Sequence, residues 1–475
     1  MRQRLRLPSL ILSQPTLSEK FLQAAARRGY RTTPVRTTGM PAGIWYIVGN
    51  EAAERFSFYG MNAILTAFMV HYLRDAQGKA APMTGSDAVA YSSLFISAVY
   101  ITPFLGAFIS DAFLGKYRTV VSLSLVYCLG HFALALDSTR MGLLVGLSLI
   151  ALGAGGIKPC VSSNVGDQFC AENQHLMTRV FGWFYFAINF GAAISQLLTP
   201  YLLDEYGAPY AFGVPGLLMV LATIVFWAGR RKFVHAPPGG STLLADATSR
   251  EGRGTIARLA VLYIFFAVFW SLYYQTMSAW VLQADKMDRH WLGFNWKSSQ
   301  LQMLNSTLIL LFIPLFSYVI YPLIDRVFKL TPLRKISIGL FVMVPSFMIS
   351  AWIESQISKG SQPGIFWQFV AYVFITAAEI LVSITGLEFS YTQAPKKMKS
   401  LVMAMFYGSI TLGTFFTAMV NKLNVHEGKM YLEGAAYYMF FTWLMLGAAI
   451  LFVFVARSFR TQAESEGAAV ESVSA

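Results

Sequence analysis

The sequence predicts an all-α polytopic membrane protein of twelve transmembrane helices in two sets of six. Apolar residues make up 55% of the 475 and charged residues only 13%, more apolar surface than one soluble core of this size can hide. Runs of about 20 apolar residues, the length that crosses a bilayer, recur along the whole chain. Midway, residues 230–254 ("RRKFVHAPPGGSTLLADATSREGRG") are rich in Gly, Pro, Ser and basic residues and read as a linker.

The predicted spans before the linker lie near 43–73, 88–113, 117–137, 141–168, 179–203 and 210–229; those after it lie near 256–284, 299–328, 333–353, 364–393, 400–421 and 433–457. This gives a first bundle over 43–229, the linker, and a second bundle over 255–458, with no insertion long enough for a soluble domain. Residues 1–42 read as a basic cytoplasmic tail or a targeting segment, and 459–475 as a disordered polar tail. With the amino terminus inside, the inner loops and tails collect 26 of the 37 Lys and Arg residues and the outer loops nine. The positive-inside bias therefore places both termini in the cytoplasm and explains the net charge of +13 without a nucleic-acid partner. A plasma or bacterial inner membrane is expected, with an organelle membrane as the alternative. Three cysteines at Cys128, Cys160 and Cys170 give neither a disulfide framework nor a metal site, and the lipid bilayer is the one partner that composition implies.

The first span carries "EAAERFSFYG", with Glu51, Glu54 and Arg55 inside an apolar run. A charge at mid-membrane costs about 3 kcal/mol on insertion scales, so such groups face a bundle interior with a partner. Glu51, Arg55, Phe58, Tyr59 and Asn62 follow at steps of three and four and share one stripe, which runs about 16 Å along the helix. The cluster reads as a functional group of charges or as a fixed ion-pair staple. Between the second and third spans, "GAFISDAFLGKYRT" offers Gly106 and Gly115 for a tight turn, with Asp111 facing Lys116 and Arg118. Such a charged patch suits a gate or a plain solvated turn.

In the fourth span, "GAGGIKPCVSSN" sets Lys158 after Gly153, Gly155 and Gly156, where backbones approach closely. Lys158 is placed to pair with Glu51 or Glu54. The tenth span holds Glu379 and Glu388, nine residues apart and so on opposite faces, of which one points at a central cavity.

Four stretches together resemble the proton-dependent oligopeptide transporter family of the major facilitator superfamily: "EAAERFSFYG", similar to ExxERFxYYG; "GAFISDAFLGKYRT"; "FYFAINFG" (184–191); and "SITGLEFSYTQAPKKMKS" (383–400). The resemblance covers roughly residues 43 to 457 and implies the major facilitator fold and proton-driven symport of di- and tripeptides by alternating access, with protons as the coupling ion and no other cofactor. It implies proton coupling through Glu51, Glu54, Arg55 and Lys158. A substrate site of Tyr59, Tyr100, Lys158, Asn189, Trp270, Asn305 and Glu388 also follows, with Lys158 near the peptide carboxylate, Glu388 on its amine, and Glu379 left to packing. Gating falls to Asn62, Asp111, Lys116, Arg118 and Tyr274. Where many members carry an arginine and an acid as an outer-gate pair, this chain has Asn62 and Tyr274, expected to meet as a neutral contact; Phe58 replaces the motif's first tyrosine and Ser93 the histidine of animal members. Another small solute, such as histidine or nitrate, or a transport-dead nutrient sensor, is the alternative reading. No nucleophile triad, metal-ligand cluster or phosphate loop points to an enzyme, and no obligatory protein partner is inferred.

Overall fold

A computed structural model describes residues 17–235, 250–393, 399–426 and 429–459. A short amphipathic helix, α1 (Leu17–Arg27), precedes the membrane helices. The first bundle is α2 (Ile44–Ala67, continued by a wide turn at Phe68–Tyr72), α3 (Gly85–Ile109), α4 (Lys116–Leu136), α5 (Arg140–Asp167), α6 (Met177–Tyr206) and α7 (Ala208–Ala228). The second is α8 (Arg250–Tyr273, then a 3₁₀ turn at Tyr274–Met277 and Ala279–Asp285), α9 (Ser298–Asp325), α10 (Pro332–Ser358), α11 (Phe366–Glu379, a π-helical turn at Ile380–Ile384, then Thr385–Gln393), α12 (Lys399–Leu423) and α13 (Ala435–Ser458). The fold is the expected all-α arrangement of two six-helix bundles. The expected linker and carboxyl-terminal tail fall largely outside the described residues.

Eleven of these helices are long and apolar enough to span a membrane on their own composition. The twelfth, α2, is as long, but every 18-residue stretch of Ile44–Ala67 contains Glu51, Glu54 and Arg55. It is the most enclosed element, buried along most of its length between α6 and α7. Enclosure by protein is what lets a charged helix sit at membrane depth.

Small residues set the helix spacing. A Cβ on Gly155 would lie 1.7 Å from Thr102 Oγ1 and one on Gly106 would lie 2.2 Å from the Gly156 carbonyl oxygen, so α3 and α5 touch backbone to backbone. Gly106 thus serves packing and not the turn expected of it. The turn into α4 falls to Gly115 alone, whose φ of 74° is costly for any other residue.

The bundles meet along α3 with α12 and α6 with α9, related positions in the two halves. Polar contacts between them gather at the end that carries the α2–α3 and α8–α9 connections. There Ser86 Oγ donates to the Asn421 carbonyl (2.7 Å), Gln302 Nε2 to the Ala63 carbonyl (3.0 Å), and Lys297 and Lys422 pair with Asp204 (2.7 Å) and Asp87 (2.6 Å). At the opposite end Ser162 and Ser163 of α5 and Ile384 and Glu388 of α11 are exposed. The polar contacts close one end of the seam, and at the end bearing α1 the four side chains just named are exposed.

The close α3–α5 packing predicts a contrast between two glycines. Gly155→Ala should lower the thermal midpoint of purified protein in detergent, by about 1–3 kcal/mol of overpacking strain. Gly213→Ala, in α7 with nothing within 4 Å of the added methyl, should leave it unchanged or slightly higher. Equal midpoints would contradict the packing described.

Candidate functional site

The charged cluster of α2 closes on itself. Arg55 Nε bonds Glu54 Oε2 and lies 3.2 Å from Glu51 Oε1, one helical turn away, with all three side chains at most 9% exposed. The second Glu54 oxygen, Oε1, is buried without a partner. The guanidinium also lies 5.7 Å from the centre of the Phe58 ring.

Lys158 does not pair with Glu51 or Glu54 as its position suggested. Its ammonium sits 4.8 Å from the Phe58 ring centre and 4.1 Å from that of Tyr100, an arrangement in which ring quadrupoles replace a counter-ion. The physical reason is that Arg55 already occupies both carboxylates. Phe58 serves equally well here as the tyrosine of the motif, since the ring face and not a hydroxyl does the work. Tyr100 is held in turn from the other bundle, where the Tyr274 hydroxyl donates to its oxygen at 2.7 Å and Tyr407 stacks on it.

Across the seam, Asn305 of α9 donates to Glu379 Oε2 at 2.8 Å and accepts from the Tyr273 hydroxyl at 3.1 Å. Tyr59 and Asn189 from the first bundle and Tyr273, Met277 and Asn305 from the second line one cavity. Trp270 is buried beside it, its ring packed on Tyr273, Tyr274 and Phe406, its Nε1 unpartnered. The first bundle thus holds a cation over Phe58 and Tyr100, and the second a carboxylate hydrogen-bonded to the lining Asn305, with neutral donors and acceptors lining the cavity itself. A small molecule bearing both an amine and a carboxylate complements it.

The acid joined to the cavity lining is Glu379, through Asn305, and Glu388, expected there, stands elsewhere. The two acids do lie on different faces, but Glu388 is exposed near the open end of α11, beyond the π-helical turn that follows Glu379. Such turns shift the helix face and often mark functional sites. The available signal was depth, because Glu379 stands at the middle of 366–393 and Glu388 close to its end, and transporter sites lie near the midplane. Tyr273, Met277 and Tyr407 were also missed; aromatic and apolar residues in a membrane helix carry no mark of which face they take.

The expected gating contacts are rearranged as well. Asn62 donates to Met277 Sδ at 2.7 Å, and Thr66 of the next turn donates to the Met277 carbonyl at 3.0 Å, so Asn62 does not meet Tyr274. The 3₁₀ turn at Tyr274–Met277 rotates Tyr274 toward α3 and brings Met277 to α2. Lys116 pairs with Asp167 of α5 at 2.6 Å, and Arg118 stacks on Phe21 of α1. The contact of both with Asp111 that was expected falls on a side chain outside the described ones.

The family model for the POT family matches residues 117–248 and 243–436. Solute carrier family 15 member 2 of Mus musculus is 35% identical over 474 residues, covering 88% of this chain and 64% of its own length. Peptide transporter family 1 of Drosophila melanogaster is 36% identical over 368 residues, covering 68% of this chain and 48% of its own. The chain thus spans under two thirds of the curated relatives it matches. Among solved structures, the in meso crystal structure of the POT family transporter PepTSo superposes with a TM-score of 0.82 at 34% identity, covering 88% of this chain and 98% of that one. An auto-inhibited POT family peptide transporter superposes with a TM-score of 0.80 at 33% identity, covering 89% and 98%.

The aromatic contact across the seam predicts coupling at a new pair. In a double-mutant cycle on thermal stability, Tyr100→Phe and Tyr274→Phe should be non-additive by about 0.5–1.5 kcal/mol. Asn62→Ala and Tyr274→Phe should add. Coupling at 62 and 274 but none at 100 and 274 would reverse the assignment of the α8 turn.

Proposed function

The chain belongs to the POT family, and from that premise we propose that it is a proton-coupled symporter of di- and tripeptides that works by alternating access. The observation that carries the proposal is an interbundle cavity lined by Tyr59, Asn189, Tyr273 and Asn305, with Glu379 hydrogen-bonded to the lining Asn305. Among the described residues, Lys158 has no carboxylate partner within ion-pair distance and so has a charge to offer. A peptide's free amine takes the Glu379 carboxylate in company with Asn305, and its free carboxylate takes Lys158. Tyr59, Asn189 and Tyr273 present hydroxyl and amide groups that bond a peptide backbone whatever its side chains, which suits broad specificity.

Coupling rests on the α2 cluster. Protonation of Glu51 or Glu54 removes one of the two charges that hold Arg55, and the freed guanidinium is the mobile part of the gate. The closed end is the extracellular one when the termini are cytoplasmic, as the distribution of basic residues favours, and the conformation described is then inward-facing. The protein is a multi-pass integral membrane protein, and its place in a plasma or bacterial inner membrane is part of this proposal.

Purified protein in liposomes, given an inward proton gradient and a panel of dipeptides, tripeptides, histidine and nitrate, tests driver and substrate together. Peptide uptake that collapses with the gradient is expected; accumulation of nitrate or histidine alone would replace the substrate, and no transport of any solute would favour a sensor. Glu379→Gln should weaken peptides with a free amine about tenfold or more, the loss of one charged contact, while Glu388→Gln should stay within about twofold. Lys158→Ala should weaken peptides with a free carboxylate, and amidated peptides should lose little further. Affinity lost in Glu388→Gln and kept in Glu379→Gln would overturn the site.

A further inference from the structure

Three buried polar atoms without partners lie together behind the α2 cluster, on the side turned toward α4: Glu54 Oε1, the Tyr127 hydroxyl and His131 Nδ1. Each is costly to leave unmade in a dry interior, and all three residues are at most 1% exposed. Their surroundings are tightly ordered. Ser57, one turn beyond Glu54 on α2, donates its hydroxyl to the Pro215 carbonyl of α7 at 2.7 Å. Its oxygen must therefore be the acceptor in the 2.8 Å contact with His131 Nε2, which fixes His131 as the Nε2–H tautomer. The His131 ring stacks on Tyr127 with centroids 5.1 Å apart. Tyr127 is thus locked with its hydroxyl toward Ser57 and within the field of Glu54 and Arg55.

We propose that Tyr127, locked by His131, receives the Glu54 carboxyl when that carboxyl is protonated and leaves Arg55. The inference rests on the proton-coupled reading above and adds a positioning residue to it. A neutral carboxyl that has left Arg55 stays buried and needs an acceptor for its O–H. The Tyr127 oxygen provides one, and its own hydroxyl donates onward to the second lone pair of Ser57, which has already given its proton to Pro215. The Glu54 hydroxyl and the Tyr127 oxygen then both have partners without any net proton transfer to tyrosine or histidine, and His131 Nδ1 alone of the three stays unpaired. Facing Tyr127 are Glu54 and Arg55 from α2, and Cys128 and His131 from its own helix. Glu51 and Lys158 stand beyond Glu54. From α5 comes Gly153, and α7 brings Pro215 to Ser57 and Gly216 to His131, none of them ionisable.

Tyr127→Phe keeps the ring and removes the acceptor, so the protonated form of Glu54 loses its partner. Gradient-driven uptake by Tyr127→Phe should then need about a tenfold higher proton concentration for its half-maximum, while peptide exchange between equilibrated compartments stays within about twofold of the unsubstituted protein. His131→Gln, which keeps a donor to Ser57, should stay close to the unsubstituted protein, and His131→Leu, which frees the tyrosine, should behave as Tyr127→Phe. A second readout needs no peptide. The infrared carbonyl stretch of protonated carboxyls in purified protein should contain a band that Glu54→Gln removes, and in Tyr127→Phe that band should move to higher frequency and appear only at higher proton concentration. An unchanged band in Tyr127→Phe overturns this proposal even if transport is robust; a shifted band in a protein that moves no peptide supports it and counts against the symport reading alone. Equal loss of uptake and exchange in folded Tyr127→Phe, with an unshifted band, would reduce Tyr127 to packing.

Discussion

One guanidinium between two carboxylates is the constraint on which the rest of the structure depends. Glu51, Glu54 and Arg55 stand within five residues of α2, and each alone would carry a cost of about 3 kcal/mol at mid-membrane. Their mutual neutralisation lowers that cost but does not remove it, because taking charges out of water is expensive even for a well-made pair. The protein meets the remainder by enclosure. α6 and α7 cover α2, and Gly191 of α6 lets the Ala52 carbonyl of α2 come within 2.7 Å of where a Cβ would stand. A helix that lipid would reject becomes the best-buried helix of the first bundle, and the bundle is organised around it.

The same enclosure explains why the seam between bundles is built from other materials. At the closed end, α2 meets the second bundle through an amide on a thioether, a threonine hydroxyl on a backbone carbonyl, and a glutamine on another carbonyl. None of these requires a charge to be desolvated when the end opens, and each backbone group regains a partner in water. The ion pairs that do bridge the end, Lys422 with Asp87 and Lys297 with Asp204, are partly exposed and are worth little each. A seam of weak, individually replaceable contacts is what reversible opening needs; the strong charged contact is kept inside one bundle, where separation of the bundles does not itself pull it apart.

Much of this was legible in the sequence because the bilayer imposes simple rules. Apolar length placed the spans to within a few residues, and steps of three and four put Glu51, Arg55 and Tyr59 on one stripe. What failed to be legible shares a cause. Glu379 and Glu388 were told apart by motif where depth in the span was the better guide, and the π-helical turn at Ile380–Ile384 lies between them. Asn62 takes Met277 in place of the expected Tyr274 because α8 tightens into a 3₁₀ turn there. Regular periodicity assumes 100° per residue, and both sites fall where that assumption breaks. Lys158 is a different case: its depth and its glycine-rich approach were readable, but its partner was set by competition, since Arg55 on the next helix had taken both acids.

Under the proposed symport, that competition bears on how substrate and proton can share one small space. An ammonium resting on the faces of Phe58 and Tyr100 is stabilised by about 2 kcal/mol when desolvated, without a fixed direction. A carboxylate arriving at Lys158 therefore breaks no salt bridge. Had Lys158 been bound to Glu54, substrate would have to displace an acid before binding, and each peptide would release a buried negative charge into the cavity. With Arg55 holding the acids, the proposed symport assigns the substrate charge and the coupling charge to separate cations, joined through the single ring of Phe58 that both approach. Movement of Arg55 off its acids changes the field at that ring and so at Lys158, and this is a physical route by which the protonation of α2 can be felt by a bound carboxylate without any side chain being shared between them.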